Sequence, residues 1–538
     1  MLSEIRIAGG INKQVTPTGA QGKWIDCDNV RFRYGYPEKI GGWEQTTLNT
    51  LPGVARDTHI WSDLTGKRYI VIGTNKGLFL YHDGAFYDIS PLDTNITSCT
   101  LTTTNNSSTV TVNKASHGLE VGDLFLFASV TLPGSGTGFV SADFTQNTFE
   151  VITLNGALLD DANGTGGSGT AITLTSVTGF SSSGGTLKVG EELITYTGVA
   201  GSTVTGIVRG ASGSTRSAHS DGAVVQEAST FTGWGSASPT GEVTLEPGNW
   251  SLDNFGQILV ATVKNNKSFE WNPSSASALS TRATVISNAP IQSVMTVVSD
   301  RDRHLIHLGT ETTIGTSSQD KMFIRFADQE NFSDYTPTSV NTAGTFRIDS
   351  GTKIVGAVNA GSYILILTDT SAYTMQFVGP PFTFGIQQVG ANCGLISQHA
   401  MVAVNGVVYW MGQAGGFYLY DGTVKKIACS VEDFVFTTQD TDDLGINFDA
   451  ADVVYAGYNS LFSEINWFYP KATTTQIDRV VTYNYAEGLW TIGSLARTTY
   501  YDKTIFDNPY ATDYNTTAIP SFPIIQGATA TNGATTLY

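Results

Sequence analysis

The sequence predicts an all-β protein: a β-propeller-like body of about five to six blades, with small β-modules inserted into it. Three observations carry this reading. A phrase is used twice: Gly73-Thr74-Asn75-Lys76-Gly77-Leu78-Phe79-Leu80-Tyr81-His82-Asp83-Gly84 is echoed by Gly415-Gly416-Phe417-Tyr418-Leu419-Tyr420-Asp421-Gly422, and each copy follows an apolar run, Arg68 to Ile72 and Val407 to Met411. Both read as strand, glycine turn, aromatic strand, Asp-Gly hairpin, strand, because a type I′ turn needs positive φ at both central residues. Apolar strands also recur at blade-like spacing, 46 residues from Ile258 to His304 and 44 from Tyr363 to Val407, against roughly 40 to 50 per propeller blade. Finally, 58 Gly, 41% hydrophobic and only 14% charged residues among 538 suit short strands joined by tight turns. A sheet of three or four such strands cannot bury both of its faces, so the units must stack on one another.

Taken in order, residues 1–54 form an aromatic lead-in joining the propeller, with Trp24, Phe32, Tyr34, Tyr36 and Trp43. Within it, the alternation from Val30 to Tyr34 reads as a strand whose basic face holds Arg31 and Arg33. Residues 55–96 are the first blade. From 97 the texture turns to Ser, Thr, Gly and Asn, which predicts two inserted β-modules, 97–160 and 161–240, joined by the Gly-Thr-Gly-Gly-Ser-Gly linker at 164–169. Residues 241–500 supply the remaining blades, and 501–538 read as a polar C-terminal extension.

Charge excludes one class of function. The net charge is −18, and the nearest thing to a basic cluster, Arg301-Asp302-Arg303-His304, nearly cancels itself, so attraction to nucleic acid has no basis. Cys27, Cys99, Cys393 and Cys429 lack metal or disulfide-framework spacing and read as small apolar side chains. Residues 1–10 hold no apolar core of a secretion signal, and no run approaches the roughly 20 apolar residues that span a bilayer. Glu191 and Glu192 adjoin on a strand and face opposite ways. Asp440, Asp442 and Asp443 lack the Gly and Glu of a calcium loop and read as solvated surface. His304 and His307, three apart on a strand, also face opposite ways and read as packing or solvent-facing residues. No catalytic, cofactor-binding or metal residue is therefore nominated, no cofactor is expected, and the chain is not expected to be an enzyme.

Four stretches go beyond generic β-structure: Asp28-Asn29-Val30-Arg31-Phe32-Arg33; Ile324 to Pro337 with Asn341-Thr342-Ala343-Gly344; Thr368 to Phe384 leading into Asn405 to Gly412; and Glu464 to Pro470 with Tyr483-Asn484-Tyr485 and Leu489 to Gly493. Together they resemble virion structural proteins of short-tailed bacteriophages, in particular the tail nozzle or tail tubular protein B family. The resemblance implies a propeller-based subunit in the virion tail, six copies of which form the distal tube through which genomic DNA is ejected. It implies contacts with the tail adaptor, with tail fibres or spikes and with the host cell surface, and no catalytic residues. Six copies would carry about −108 formal charges, six times −18, and an acidic channel lets a polyanion pass without specific binding. On this reading Arg31 and Arg33 are expected at subunit contacts or on the outer surface. Trp24, Phe32 and Trp43 are expected to need cover from a neighbouring subunit or from the first and last blades. The alternatives are a receptor-binding or glycan-active tail spike, and a head-to-tail adaptor.

Overall fold

The computed structural model describes residues 7–46, 50–92, 248–275, 278–316, 318–437, 445–515 and 534–537, with short stretches between 100 and 227. Two compact units divide the chain: Met1–Leu92 with Glu246–Ile524 and Thr529–Tyr538, and Asp93–Leu245 with Ile525–Ala528.

The first unit is built from tight hairpins. His82 pairs with Ala85 across Asp83 and Gly84, whose φ values of 48° and 82° make the two-residue left-handed turn that Asp-Gly predicts. The second copy of the phrase differs. Tyr420 pairs with Val424, so Asp421-Gly422-Thr423 is a three-residue loop with only Gly422 at positive φ. Both copies nonetheless occupy the third strand of a four-stranded sheet.

Seven such antiparallel sheets follow one another among the described residues. Blade 1 spans Ala55 to Asp88, blade 2 Trp250 to Val285, blade 3 Met295 to Arg347, blade 4 Ile354 to Ala391, blade 5 Met401 to Ile427 and blade 6 Tyr455 to Gly493. Blade 7 joins Thr499–Tyr501, Tyr510–Asn515 and Ala534–Leu537 to Thr50–Leu51. The first strand of each blade packs on the first strand of the next, and Thr499–Tyr501 packs on Ala55–Ser62, so the ring closes. The count is thus seven blades, not five or six. Residues 501–538 are not a polar extension, since two of their segments are blade 7 strands. The seventh blade escapes a sequence reading because its strands are short and polar and come from both ends of the chain.

Adjacent blades are held by aromatic packing in which each indole N–H finds a carbonyl, as a buried donor must. Trp250 of blade 2 donates to the Thr74 carbonyl of blade 1 at 2.8 Å, and Trp467 of blade 6 donates to Ala400 beside blade 5 at 3.1 Å. Phe417 of blade 5 lies 4.7 and 4.6 Å from the rings of Trp467 and Trp490 of blade 6. Gly73, in the first copy of the phrase, makes one junction possible: a Cβ there would stand 2.6 Å from the Trp250 indole.

The lead-in adds two small sheets, Ala8–Ile11 with Lys23–Trp24 and Val30–Arg33 with Tyr36–Lys39, against the outer strand Leu489–Gly493 of blade 6. Phe32 is buried and Trp24 packs 6.1 Å from it, while Trp43 meets Tyr500 of blade 7 at 5.9 Å. Cover for these aromatics comes from the chain's own sixth and seventh blades. Arg31 corrects another expectation. It is buried, pairs with both Glu464 oxygens at 2.7 and 2.9 Å, and stacks 3.4 Å over Phe462, so it faces neither a subunit contact nor the outer surface. Arg33 is exposed.

The second unit contains small antiparallel sheets, including Gly185–Val189 between Glu192–Tyr196 and Val225–Glu227, and Ala171–Thr173 with Thr203–Thr205 and Gly198–Ala200. Its core gathers Ile172, Leu187, Ile194, Tyr196 and Val204. Glu192 is buried and ion-paired to Arg209 at 2.6 Å. The linker 164–169, Glu191 and the acidic turn 440–443 lie outside the described residues.

Candidate functional site at the centre of the ring

The first strands of the blades bring together polar residues that stand far apart in the chain. Asp57 and His59 come from blade 1, Asp253 and Asn254 from blade 2, Asp300 from just after the first strand of blade 3 and Asn359 from blade 4. His399 precedes blade 5, Tyr455 starts blade 6 and Tyr501 ends the first strand of blade 7. Contacts between blades that are not neighbours mark this as the ring's centre. His399 Nε2 lies 2.7 Å from the Trp250 carbonyl and its Nδ1 3.9 Å from Asp57 Oδ1, while the Tyr455 hydroxyl donates to Asp57 Oδ1 at 3.3 Å.

The carboxylates act as staples. Asp57 Oδ2 accepts from Leu252 N at 2.9 Å and Oδ1 from Thr58 N at 2.8 Å; Asp253 Oδ2 accepts from Val298 N at 2.9 Å and Oδ1 from Asn254 N at 2.8 Å. Each Asp thereby ties its own inner strand to the next. The Asn359 amide continues the series, donating to the Val298 carbonyl at 3.0 Å and to Asp300 Oδ2 at 3.1 Å. His59 Nε2 lies 2.7 Å from Asn254 Oδ1 and its ring stands edge-on to Tyr501 at 5.9 Å.

Burial dominates the electrostatics. It pushes the Asp57 and Asp253 carboxyls above the usual carboxylate range, against the lowering pull of nearby histidines and backbone N–H donors. Asp300 is raised in the same way and by the neighbouring Asp253. Arg56, next to Asp57 in sequence, is lowered by burial to about 10. The arrangement can lock blades together and hold protons. Both oxygens of Asp57 and of Asp253 are engaged by backbone donors. Among the described residues, no group of three or more His, Cys, Asp or Glu is placed to hold a metal ion.

Asp57 and Asp253 share one buried centre, a pairing that the sequence does not announce. No local spacing announces two residues so far apart, and only an alignment of the inner strands of successive blades could have done so. The predicted histidines are both buried, in blade 3. His307 joins Ser293 and Tyr335, each at 2.9 Å, and His304 reaches Thr342 Oγ1 at 3.0 Å. Cys393 and Cys429 are buried thiols and Cys27 is half-buried.

No family model matches the chain, and no curated protein matches it in sequence. Several solved structures are loosely similar. A Synechocystis apocarotenoid oxygenase mutant is 10% identical, with 60% of this chain and 78% of that chain covered and a TM-score of 0.28. Kluyveromyces lactis Hsv2 is 10% identical over 50% and 70% of the two chains, at 0.28. The computationally designed Ika8 protein is 8% identical over 92% and 99%, at 0.35. At these scores the likenesses assign no activity.

Proposed function

We propose that this chain is a structural subunit of a short-tailed bacteriophage tail, one of six copies that form the distal nozzle through which DNA is ejected. The observation that carries the reading is the role of the stretches that resemble the nozzle family. Their described side chains make structural joints. Arg31 and Glu464, from two different stretches, meet in a buried bidentate pair. Asp328 accepts from both Thr342 N and Thr342 Oγ1, at 2.8 and 2.7 Å, within a third. Trp410, in the remaining one, donates to the Cys393 carbonyl at 2.8 Å. The stapled carboxylates at the ring's centre support the same non-enzymatic reading.

Contacts join non-neighbouring blades across the ring, which favours, on this proposal, a DNA path in the lumen between copies and not along the axis of one propeller. The surplus of acid over base then keeps that lumen from gripping DNA, since basic rings repeated sixfold would bind it through its phosphates. The test is immunogold labelling of the virion together with native mass measurement of its isolated tail. Label at the distal tip and six copies per tail are expected. Label on radial spikes, or any other stoichiometry, overturns the assignment and favours the tail-spike or adaptor reading.

A further inference from the structure

We infer that the tip of the third hairpin of blade 4 is a lipid-contact loop, which seats Val378 and Phe382 in the interface of a charge-neutral bilayer. The inference stands on the loop alone and does not depend on the tail reading. The hairpin strands, Ser371–Gly379 and Thr383–Ala391, run nine residues each, the longest in the ring. Their base is fixed: Phe384 is buried, and the rings of Phe326, Phe377 and His304 lie 5.0, 5.8 and 5.1 Å from it. Beyond this stem the side chains turn outward, Val378 58% and Phe382 77% exposed. Thr383 Oγ1 donates to the Thr342 carbonyl at 3.1 Å, and Val340, two residues from that anchor, is 93% exposed. Apolar side chains from two loops are thus held at one place by a rigid support.

Charge selects the partner. No Asp, Glu, Lys or Arg occurs from Thr370 to Tyr420, or from Tyr335 to Phe346, in a chain of net charge −18. Asp328, beside the anchor, is taken up by the Thr342 amide and hydroxyl, and Asp334 by the Asn341 side-chain amide. On these two segments a partner matched by charge has no ion to pair with, and an anionic headgroup has no cation to meet. Backbone chemistry points the same way. Pro380 and Pro381 have no N–H, while Phe382 N donates to Gly379 O and Phe384 N to Phe382 O at 3.2 and 2.6 Å. A tip so poor in free donors loses little on leaving water, which an apolar phase demands. A rigid aromatic and a β-branched side chain on such a tip suit the headgroup boundary.

The experiment is flotation of the full chain with phosphatidylcholine vesicles at low and high salt. Salt-independent binding is expected. The double variant Val378→Ser with Phe382→Ser should lose at least tenfold in bound fraction while keeping the parent's melting temperature, because both side chains are exposed. Phe382→Trp should keep binding, and its added fluorescence should be quenched by brominated phosphatidylcholine. Three results would overturn the proposal: no flotation of the parent, flotation that requires anionic lipid and vanishes with salt, or a double variant that floats as well as the parent. A concentration-dependent mass of the parent that the double variant abolishes, without vesicle binding, would instead assign the tip to a contact between copies.

Discussion

His307 shows how a single buried group sets a pH dependence. Burial, with the Arg325 guanidinium nearby, pushes its imidazolium down to about 3, whereas the unfolded chain titrates near 6.5. The folded state therefore binds fewer protons between those values. Its stability from this group is complete above about 6.5 and is lost as pH falls toward 3, by about 1.4 kcal/mol per pH unit. Urea unfolding of the parent should weaken from pH 7 to pH 5, and His307→Gln should remove that part of the slope; an unchanged slope would exclude His307 as its source. Arg31 makes a second test. Removing one partner of a buried pair strands the other charge and typically costs about 3–5 kcal/mol, while replacing both by apolar groups is far milder. Arg31→Met alone should destabilise by that order, and Arg31→Met with Glu464→Met should recover most of the loss in a double-mutant cycle. Additive losses in that cycle would mean that the two residues do not act as a pair.

Strands and turns were partly legible because their chemistry is local. Asp83-Gly84 announces a two-residue turn, and the aromatic phrases at 77–82 and 417–420 mark the same strand of two blades. What stayed hidden depends on partners distant in sequence. Tyr510–Asn515 and Ala534–Leu537 carry few apolar residues, and pairing with each other, with Thr499–Tyr501 and with Thr50–Leu51 makes them strands. The same holds for glycines whose need comes from a neighbour. A Cβ at Gly394 would stand 1.9 Å from the Asp369 carbonyl oxygen, a backbone atom that cannot swing aside. Gly394→Ala should therefore cost at least the roughly 1–3 kcal/mol usual for overpacking, read as a drop in denaturation midpoint. A variant as stable as the parent would show that the strand can shift. The closing strands give an element-sized test: truncation after Asn515 removes the only strand partner of Thr50–Leu51 among the described residues and leaves Tyr510–Asn515 paired with Thr499–Tyr501 alone. Limited proteolysis should then cut first within 499–515, whereas an unchanged cleavage pattern would argue that Ala534–Leu537 does not hold the blade.

At the scale of the whole ring, closure by the chain ends and stapling at the centre are two separate locks. The first joins blade 7 at its outer edge. The second ties blades 1, 2, 3, 5 and 6 through Asp57, Asp253, His399 and Tyr455. Because these central bonds run between blades, losing one should loosen the ring as a unit, seen as a lower single transition and not as a new early step. Their pH dependence has a sign opposite to that of His307. Burial raises the Asp253 carboxyl above its unfolded value near 3.9, so between the two values the folded state binds more protons than the unfolded one. Stability from this group is therefore greatest in acid and declines as pH rises through the raised pKa. Asn at this position has no such titration. The melting temperature of the parent minus that of Asp253→Asn should accordingly be larger at pH 5 than at pH 8, measured at constant ionic strength so that screening is the same at both. A difference that grows toward pH 8 would mean that the ionised carboxylate, with its two backbone donors, is the favoured form, and that the ring's centre is held by charge and not by a shared burial of protonated acids.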